Sequence, residues 1–282
     1  MATVDLSSGT LHYHEAGSGP PIVFLHGYLQ GANLWGPIVH LLNDEFRCIG
    51  PELPFGAHPT PMAPDADLST AGVGRLVADF LAALDLHQVI LVGNDSGGAI
   101  AQVVAARHPQ RLGGLVLASC DAFDNYPPRL FRPLIAAARL RLLTPVLASL
   151  KARPGRSLPS AYGWLTHGQP PHELIDGWIA NYFADKGVRR DTRRLTAAMG
   201  DDAFMTQVAA ELVGFTKPVL LAWAADDKHF PLAHARRLAG IVPNAQLELI
   251  EGSRTWGMRD QPERTAQLLG QFTRHTATTY TP

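Results

Sequence analysis

The sequence predicts an α/β fold, a mostly parallel sheet with helices packed on both faces. Two observations predict it. Short apolar runs closed by glycine recur along the chain, "PIVFLHG" (21–27) and "QVILVG" (88–93) being the clearest. Continuous apolarity of this length marks a strand buried on both faces. Between such runs lie segments with apolar residues three and four apart, and regular alternation of strand and helix favours parallel pairing through crossover helices. The chain has 282 residues, 46% apolar and 17% charged, which suits a domain with a full core.

In chain order, "LHYHEAG" (11–17) reads as a hairpin strand and "PIVFLHG" as a buried one, while "FRCIGPEL" (46–53) is a weaker strand. "LSTAGVGRLVADFLAALDL" (68–86) reads as a helix entered through a Ser or Thr cap. "QVILVG" is a strand, and "GGAIAQVVAARHP" (97–109) is the helix that leaves it. "LGGLVLASC" (112–120), "KPVLLAWA" (217–224) and "AQLELIEG" (245–252) read as further strands. "LAHARRLAGIVP" (232–243) and "DQPERTAQLLGQFTRH" (260–275) read as helices bounded near a proline.

One segment breaks the alternation. From about Asp121 to about Glu211 no strand pattern appears, and two long stretches, 127–150 and 170–195, read as helical between prolines. The expected organisation is therefore a core of residues 1–120 and 212–282, with a helical cap at 121–211 inserted between two strands. The insertion carries half of the chain's Lys and Arg, including Arg189, Arg190, Arg193 and Arg194. A solvated helix face is the ordinary account of such a run; recognition of an anionic group is the alternative.

The formal charge of −1 argues against a general nucleic-acid or membrane-surface binder. No stretch has the roughly 20 apolar residues of a membrane span, and "MATVDLSSGT" lacks the basic and apolar regions of a leader. Cys48 and Cys120 each close a strand-like run and read as buried thiols of a reducing compartment, so a cytoplasmic chain is expected. "GNDSGG" lacks dinucleotide-fingerprint spacing, and His12 and His14 on one strand face have no third ligand nearby. No cofactor and no metal are expected. The partner is a small molecule, and a homodimer is left open.

The stretch "VILVGNDSGGAI" (89–100) carries the chemistry. A strand, a sharp turn and a helix make a nucleophile elbow when the residues two before and two after the projecting one are nearly side-chain-free. Gly93 and Gly97 satisfy this for Asp95; for Ser96 the flanks would be Asn94 and Gly98, a poorer fit. An aspartate that merely caps a helix needs neither a buried strand before it nor glycine on both sides.

With that elbow, the chain resembles the α/β-hydrolase-fold superfamily, in particular its epoxide hydrolase and haloalkane dehalogenase group, which carries Asp at this place. The resemblance runs along the whole chain and is strongest over 20–120 and 217–272. "FLHGYLQGANLW" (24–35) is similar to the group's His-Gly loop. It implies an oxyanion hole from the backbone N–H groups of Tyr28 and Ser96, with His26 structural or at the substrate. "LLAWAADDKHFP" (220–231) resembles the loop that supplies the acid of the triad, which puts that acid at Asp227; Asp121 is a second candidate, since some relatives carry the acid there.

The resemblance fails at one residue. Where the group keeps its catalytic His after the last strand, the text is "GSRTWG" and the matching position is Thr255; no His lies between His234 and His275. In that group the Asp attacks carbon and a His then activates water to cleave the resulting ester. A threonine hydroxyl stays protonated at neutral pH and cannot take that part. His229 is the nearest substitute by sequence, with His167 and His172 behind it. Alternatively Asp95 works alone as an acid and base, its pKa raised by a dry pocket. Tyr126, Tyr162, Trp164, Trp178, Tyr182 and Trp256 are candidates to shape the pocket, although packing alone explains each of them.

Three readings follow. The superfamily favours an enzyme that hydrolyses a small, largely apolar epoxide, halide, ester or lactone through Asp95. The Thr255 replacement favours a non-hydrolytic cyclase, dehydratase, lyase or isomerase with Asp95 as general acid and base. A non-catalytic small-molecule-binding protein is the third.

Overall fold

The computed structural model describes residues 1–279. Eight strands form one sheet: β1 (Ala2–Leu6), β2 (Gly9–Ala16), β3 (Pro21–Leu25), β4 (Arg47–Pro51), β5 (Val89–Asp95), β6 (Leu112–Cys120), β7 (Val219–Ala224) and β8 (Ala245–Ile250). Their order is β1-β2-β4-β3-β5-β6-β7-β8. β2 runs antiparallel to β1 and β4, and every other neighbouring pair is parallel.

The chain leaves β3 for β4 on one side and returns to β5 on the other. That reversal opens a crevice beyond the carboxyl ends of β3 and β5, the usual place for a ligand in an open α/β sheet.

The buried strands divide their side chains between two layers by the period of two. Val23, Leu25 and Leu91 pack with α2 (Thr70–Ala83) and α3 (Ser96–Arg107), through residues such as Val73, Phe80 and Val103. Ile22, Phe24, Ile90 and Val92 face the opposite layer of Ile38, Leu42, Leu268 and Leu269, which lie on α1 (Gly36–Leu42) and the C-terminal helix Pro262–Thr279. The cap of α2 is Ser69, whose side chain accepts from the Gly72 N–H at 3.1 Å. Both cysteines are buried and free.

β1 and α1 were absent from the sequence expectation. β1 is a largely exposed edge strand with no apolar run to betray it, and α1 is only seven residues long. Residues 127–150 do not form one helix. The chain breaks into α4 (Arg132–Arg139) and α5 (Leu143–Leu147), separated by Arg141 at φ 61°. Residues 170–195 likewise divide, between α6 (His172–Ala184) and α7 (Lys186–Ala198). Asp185 ends the first and caps the second by accepting from the Gly187 and Val188 N–H groups. The following helix, α8 (Asp202–Glu211), packs on α3 and places Met205, Val208 and Ala209 in the α2–α3 layer.

Candidate active site

Asp95 ends β5 and starts α3 with φ 56° and ψ −132°. A non-glycine residue holds this backbone only when its surroundings force it, and here they do. A Cβ on Gly93 would come within 2.5 Å of the Gly97 carbonyl oxygen, and one on Gly97 within 2.5 Å of the His26 carbonyl oxygen. The bend is thus crowded against the β3 loop, and Gly27 leaves space for Asp95 itself, whose Cγ lies 2.6 Å from where a Gly27 Cβ would be.

The side chain of Asp95 reaches a cavity of about 320 Å³. Its Oδ1 accepts from the Ser96 N–H at 2.5 Å and the Ser96 hydroxyl at 3.0 Å. Its Oδ2 accepts from Gln30 Nε2 at 3.0 Å, and the Tyr28 N–H also faces the carboxyl. Burial nevertheless outweighs these donors and raises the Asp95 pKa above the ordinary carboxylate value.

Gln30 was missing from the sequence expectation. It is fully buried and clamped, its Oε1 accepting from the Gly27 N–H at 3.2 Å while Nε2 turns to Asp95. The available signal was slight: Gln30 and Asn33 are both amides in the loop "HGYLQGANLW", and nothing in their spacing tells which one turns to Asp95. Asn94 was missed too. It is buried beside the bend, and its Nδ2 donates to the carbonyls of Ala118, Ser119 and Thr255.

Asp121 follows β6 and is fully buried; among the described residues neither of its carboxylate oxygens has a hydrogen-bond partner within normal reach. Its backbone is held by Gln102 Nε2, which donates to its carbonyl at 2.7 Å. Burial, and next the neighbouring Asp95 carboxyl, push its pKa well up. Its carboxyl faces the Ser96 hydroxyl.

Asp227 lies beyond β7. Its Oδ1 accepts from the N–H groups of His229 and Phe230, both at 2.8 Å, and from the Thr255 hydroxyl at 3.2 Å. Burial raises its carboxyl to about 6. Thr255 is itself buried and closes this arrangement from the loop after β8.

The structure does not bring His229 to Asp95. Its ring packs between Phe131 and Trp164, with centroids 5.0 and 5.8 Å away, and its Nε2 is buried and unpartnered. Burial, with Arg254 nearby, depresses its pKa to about 4, so the ring is neutral. His167 pairs with Asp226 at an exposed position. The His172 carbonyl accepts from buried Arg156. His26 is buried and structural in its bonding: Nε2 accepts from the Leu53 N–H at 2.9 Å, which leaves the proton on Nδ1 for the Gly27 carbonyl. That neutral form accords with its lowered pKa, although Glu52 stands 3.8 Å away.

Most of the aromatic candidates serve packing. Tyr162 lines the cavity and donates its hydroxyl hydrogen to the Leu29 carbonyl. Trp178 and Trp256 stack behind it, with Trp178 Nε1 donating to Asn33. Tyr126 bonds Thr70, and Tyr182 bonds Thr144, both away from the cavity. Trp164 covers His229 from an exposed position.

The cavity wall is mainly apolar, with Leu, Pro, Ile and Phe side chains from 127–165 facing Asp95 across the gap. Tyr28 also lines it, its hydroxyl bonded to Thr196 at 2.7 Å. Among the described lining residues Asp95 is the sole Asp, Glu, His, Lys or Arg. The arginine run lies outside the lining of this cavity. Arg189 and Arg194 spend their guanidinium groups on backbone carbonyls, Arg190 does so together with Asp191, and none of the four lines the cavity.

An eight-stranded sheet of this order, with a bent acid at the end of its central strand, defines a class. Residues 20–261 match the α/β-hydrolase fold family, and the chain belongs to it, as an enzyme of that superfamily. Haloalkane dehalogenase 2 of Mycobacterium tuberculosis is 28% identical over 273 residues, covering 94% of this chain and 92% of the relative. The 2-hydroxy-6-oxo-6-phenylhexa-2,4-dienoate hydrolase of Burkholderia cepacia is 25% identical over 281 residues, covering 95% and 92%. Among solved structures, an ancestral haloalkane dehalogenase is similar in fold at a TM-score of 0.79 and 23% identity, covering 99% of this chain and all of that one.

Proposed function

We propose that this enzyme converts a small, largely apolar substrate by proton transfer through Asp95, without an imidazole-activated water. Elimination, dehydration, isomerisation and ring opening or closure are the reaction types that fit. The observation that carries this reading is the lining of the cavity, in which Asp95 is the sole ionisable group apart from phenols among the described residues. A carboxyl whose pKa is raised by burial works as both acid and base nearer neutral pH than an exposed one. In this reading the residues of 121–211 act as the cap that keeps the site dry, and Thr255 stands where relatives keep the catalytic His.

The second reading is attack by Asp95 on a substrate carbon. It is favoured by the way the carboxyl is held, with the Ser96 N–H and Gln30 on its oxygens and the Tyr28 N–H facing it, as an oxyanion hole would hold one oxygen of a nucleophile. Without a base, the resulting ester would persist, since general-base assistance is worth roughly 10²–10⁴-fold.

Incubation with 1,2-epoxides and alkyl halides in deuterated, ¹⁸O-labelled water separates the two. The acid–base reading expects rearranged or eliminated product that carries no ¹⁸O, a substrate C–H proton having been lost to Asp95 and through it to solvent or to the leaving oxygen, and this product is lost in Asp95→Asn. A mass gain of one probe on the Asp95 peptide transfers support to attack at carbon. Efficient release of ¹⁸O-labelled diol or alcohol would sink both, because it requires an activated water.

A further inference from the structure

Between Asp124 and Glu173 the chain carries seven Lys or Arg residues and no Asp or Glu, although the whole chain is at −1. The cations are therefore segregated, not balanced locally. Arg132 is paired with Asp202 and Arg156 with Asp176; Arg139 donates to the Ala197 carbonyl and Lys151 lies over the Phe183 ring; Arg129, Arg141 and Arg153 are exposed.

The same stretch exposes large apolar side chains. Leu140 is 69% exposed, Leu142 52%, Leu158 49%, Val146 46% and Leu130 43%. Leu130, Val146 and Leu158 also line the cavity that holds Asp95, so this part of the exposed apolar surface is continuous with the wall of the cavity. Leu140 and Leu142 flank Arg141 at the α4–α5 break, and all three are exposed.

Exposed leucines interleaved with arginines have an unfavourable contact with water, about 25 cal/mol per Å² of apolar area. A symmetric pairing of two such faces would set cations against cations. An anionic lipid surface satisfies both groups: the leucines enter the acyl boundary, and the long basic side chains reach the phosphates. We propose that this face docks reversibly on an anionic lipid surface and turns the cavity mouth toward it. An apolar substrate dissolved in the bilayer would then enter without crossing water. No helix among the described residues is long and apolar enough to cross a membrane, so the association is peripheral.

Flotation of the full chain with vesicles tests this. Binding is expected to vesicles of phosphatidylcholine mixed with phosphatidylglycerol, and not to phosphatidylcholine alone, and added salt should weaken it. Arg129→Gln, Arg141→Gln and Arg153→Gln should each weaken partitioning about fivefold, from ~1 kcal/mol per basic residue at an anionic surface. Leu140→Ser with Leu142→Ser should weaken it further, while Arg264→Gln, outside the stretch, should leave it unchanged. Thermal melts of the same variants exclude misfolding as the cause. Three outcomes would overturn the proposal: no binding to either vesicle; equal capture by soluble polyglutamate with no effect of the leucine changes, which points to an acidic protein; or a dimer in sedimentation that the leucine changes dissolve. Asp95→Asn should bind vesicles as the wild type does, so a failure here leaves the catalytic reading untouched.

Discussion

The Thr255 hydroxyl donates to Oδ1 of Asp227 at 3.2 Å, and both groups are buried at the carboxyl end of the sheet. An acid is thus held in place by a residue that cannot pass on its influence. A hydroxyl of pKa far above neutrality neither takes a proton from water nor relays charge toward Asp95.

Thr255→His should supply the missing ring. With alkyl halides or epoxides as probes, attack by Asp95 at carbon predicts halide or diol release at least ~10²-fold faster than in the wild type, the lower range of general-base assistance, whereas proton transfer alone predicts wild-type rates. Thr255→Ser, which retains the hydroxyl, should match the wild type. Halide release and diol formation are the readouts. A folded Thr255→His protein with wild-type rates would argue against Asp95 as a carbon nucleophile.

Gln30→Leu removes one donor from Asp95 and leaves the Gly27 N–H without its acceptor. A hydrogen bond to a carboxylate favours the charged form, so its loss should raise the Asp95 pKa further. The limb of the pH–rate profile that reports Asp95 should move to higher pH, the acid limb where the carboxylate acts as base or nucleophile and the basic limb where it acts as acid, and stability should fall by about 1–3 kcal/mol for the orphaned buried group. The pH–rate profile separates the first effect from the second.

Asp227 is held up to about 6 from an ordinary 3.8. The folded chain keeps this proton across a window in which the unfolded chain has lost it. Stability is therefore highest below about 4 and declines as pH rises to about 6, by on the order of 3 kcal/mol. Asp227→Asn should remove that decline. The Tm of the variant is expected to match the wild type near pH 4 and exceed it above pH 6, by ~2–4 °C per kcal/mol.

His229 has the opposite sign. Its folded pKa of about 4 lies below the ordinary 6.5, so its stabilising contribution is full above 6.5 and is lost as pH falls toward 4. His229→Phe keeps a ring between Phe131 and Trp164 and removes the unpartnered buried nitrogen. Denaturant melts should show a shallower acid limb and no loss of stability at neutral pH. A steeper limb would mean that the imidazole has a partner that was overlooked.

The elbow was legible because three independent constraints coincide: an apolar run ending at Val92, glycines at 93 and 97, and a helix that starts at once. Asp227 and the Thr255 departure came from a resemblance and not from spacing. Gln30 was not legible, because one polar residue in a loop has no periodicity and its partner is 65 residues away. The aromatic positions failed for another reason. Sequence marks Tyr126, Trp164, Trp178 and Tyr182 as large and amphipathic, but the direction each one takes depends on partners distant in the chain or set by the fold, Thr70 for Tyr126, Asn33 for Trp178, Thr144 for Tyr182 and His229 for Trp164. The cationic stretch was obscured by averaging, since a chain near neutrality overall hid a segment that is far from it.

A hollow walled by hydrocarbon, with a single acid at its base and no counter-cation, sorts visitors before any bond changes. Neutral molecules gain by leaving water, while any that carry a fixed negative charge would meet a like charge in a poorly screening medium. The same discrimination acts at the end of a turnover: a reaction that kept its product uncharged could hold it for further steps, whereas one that created an acid would drive it out.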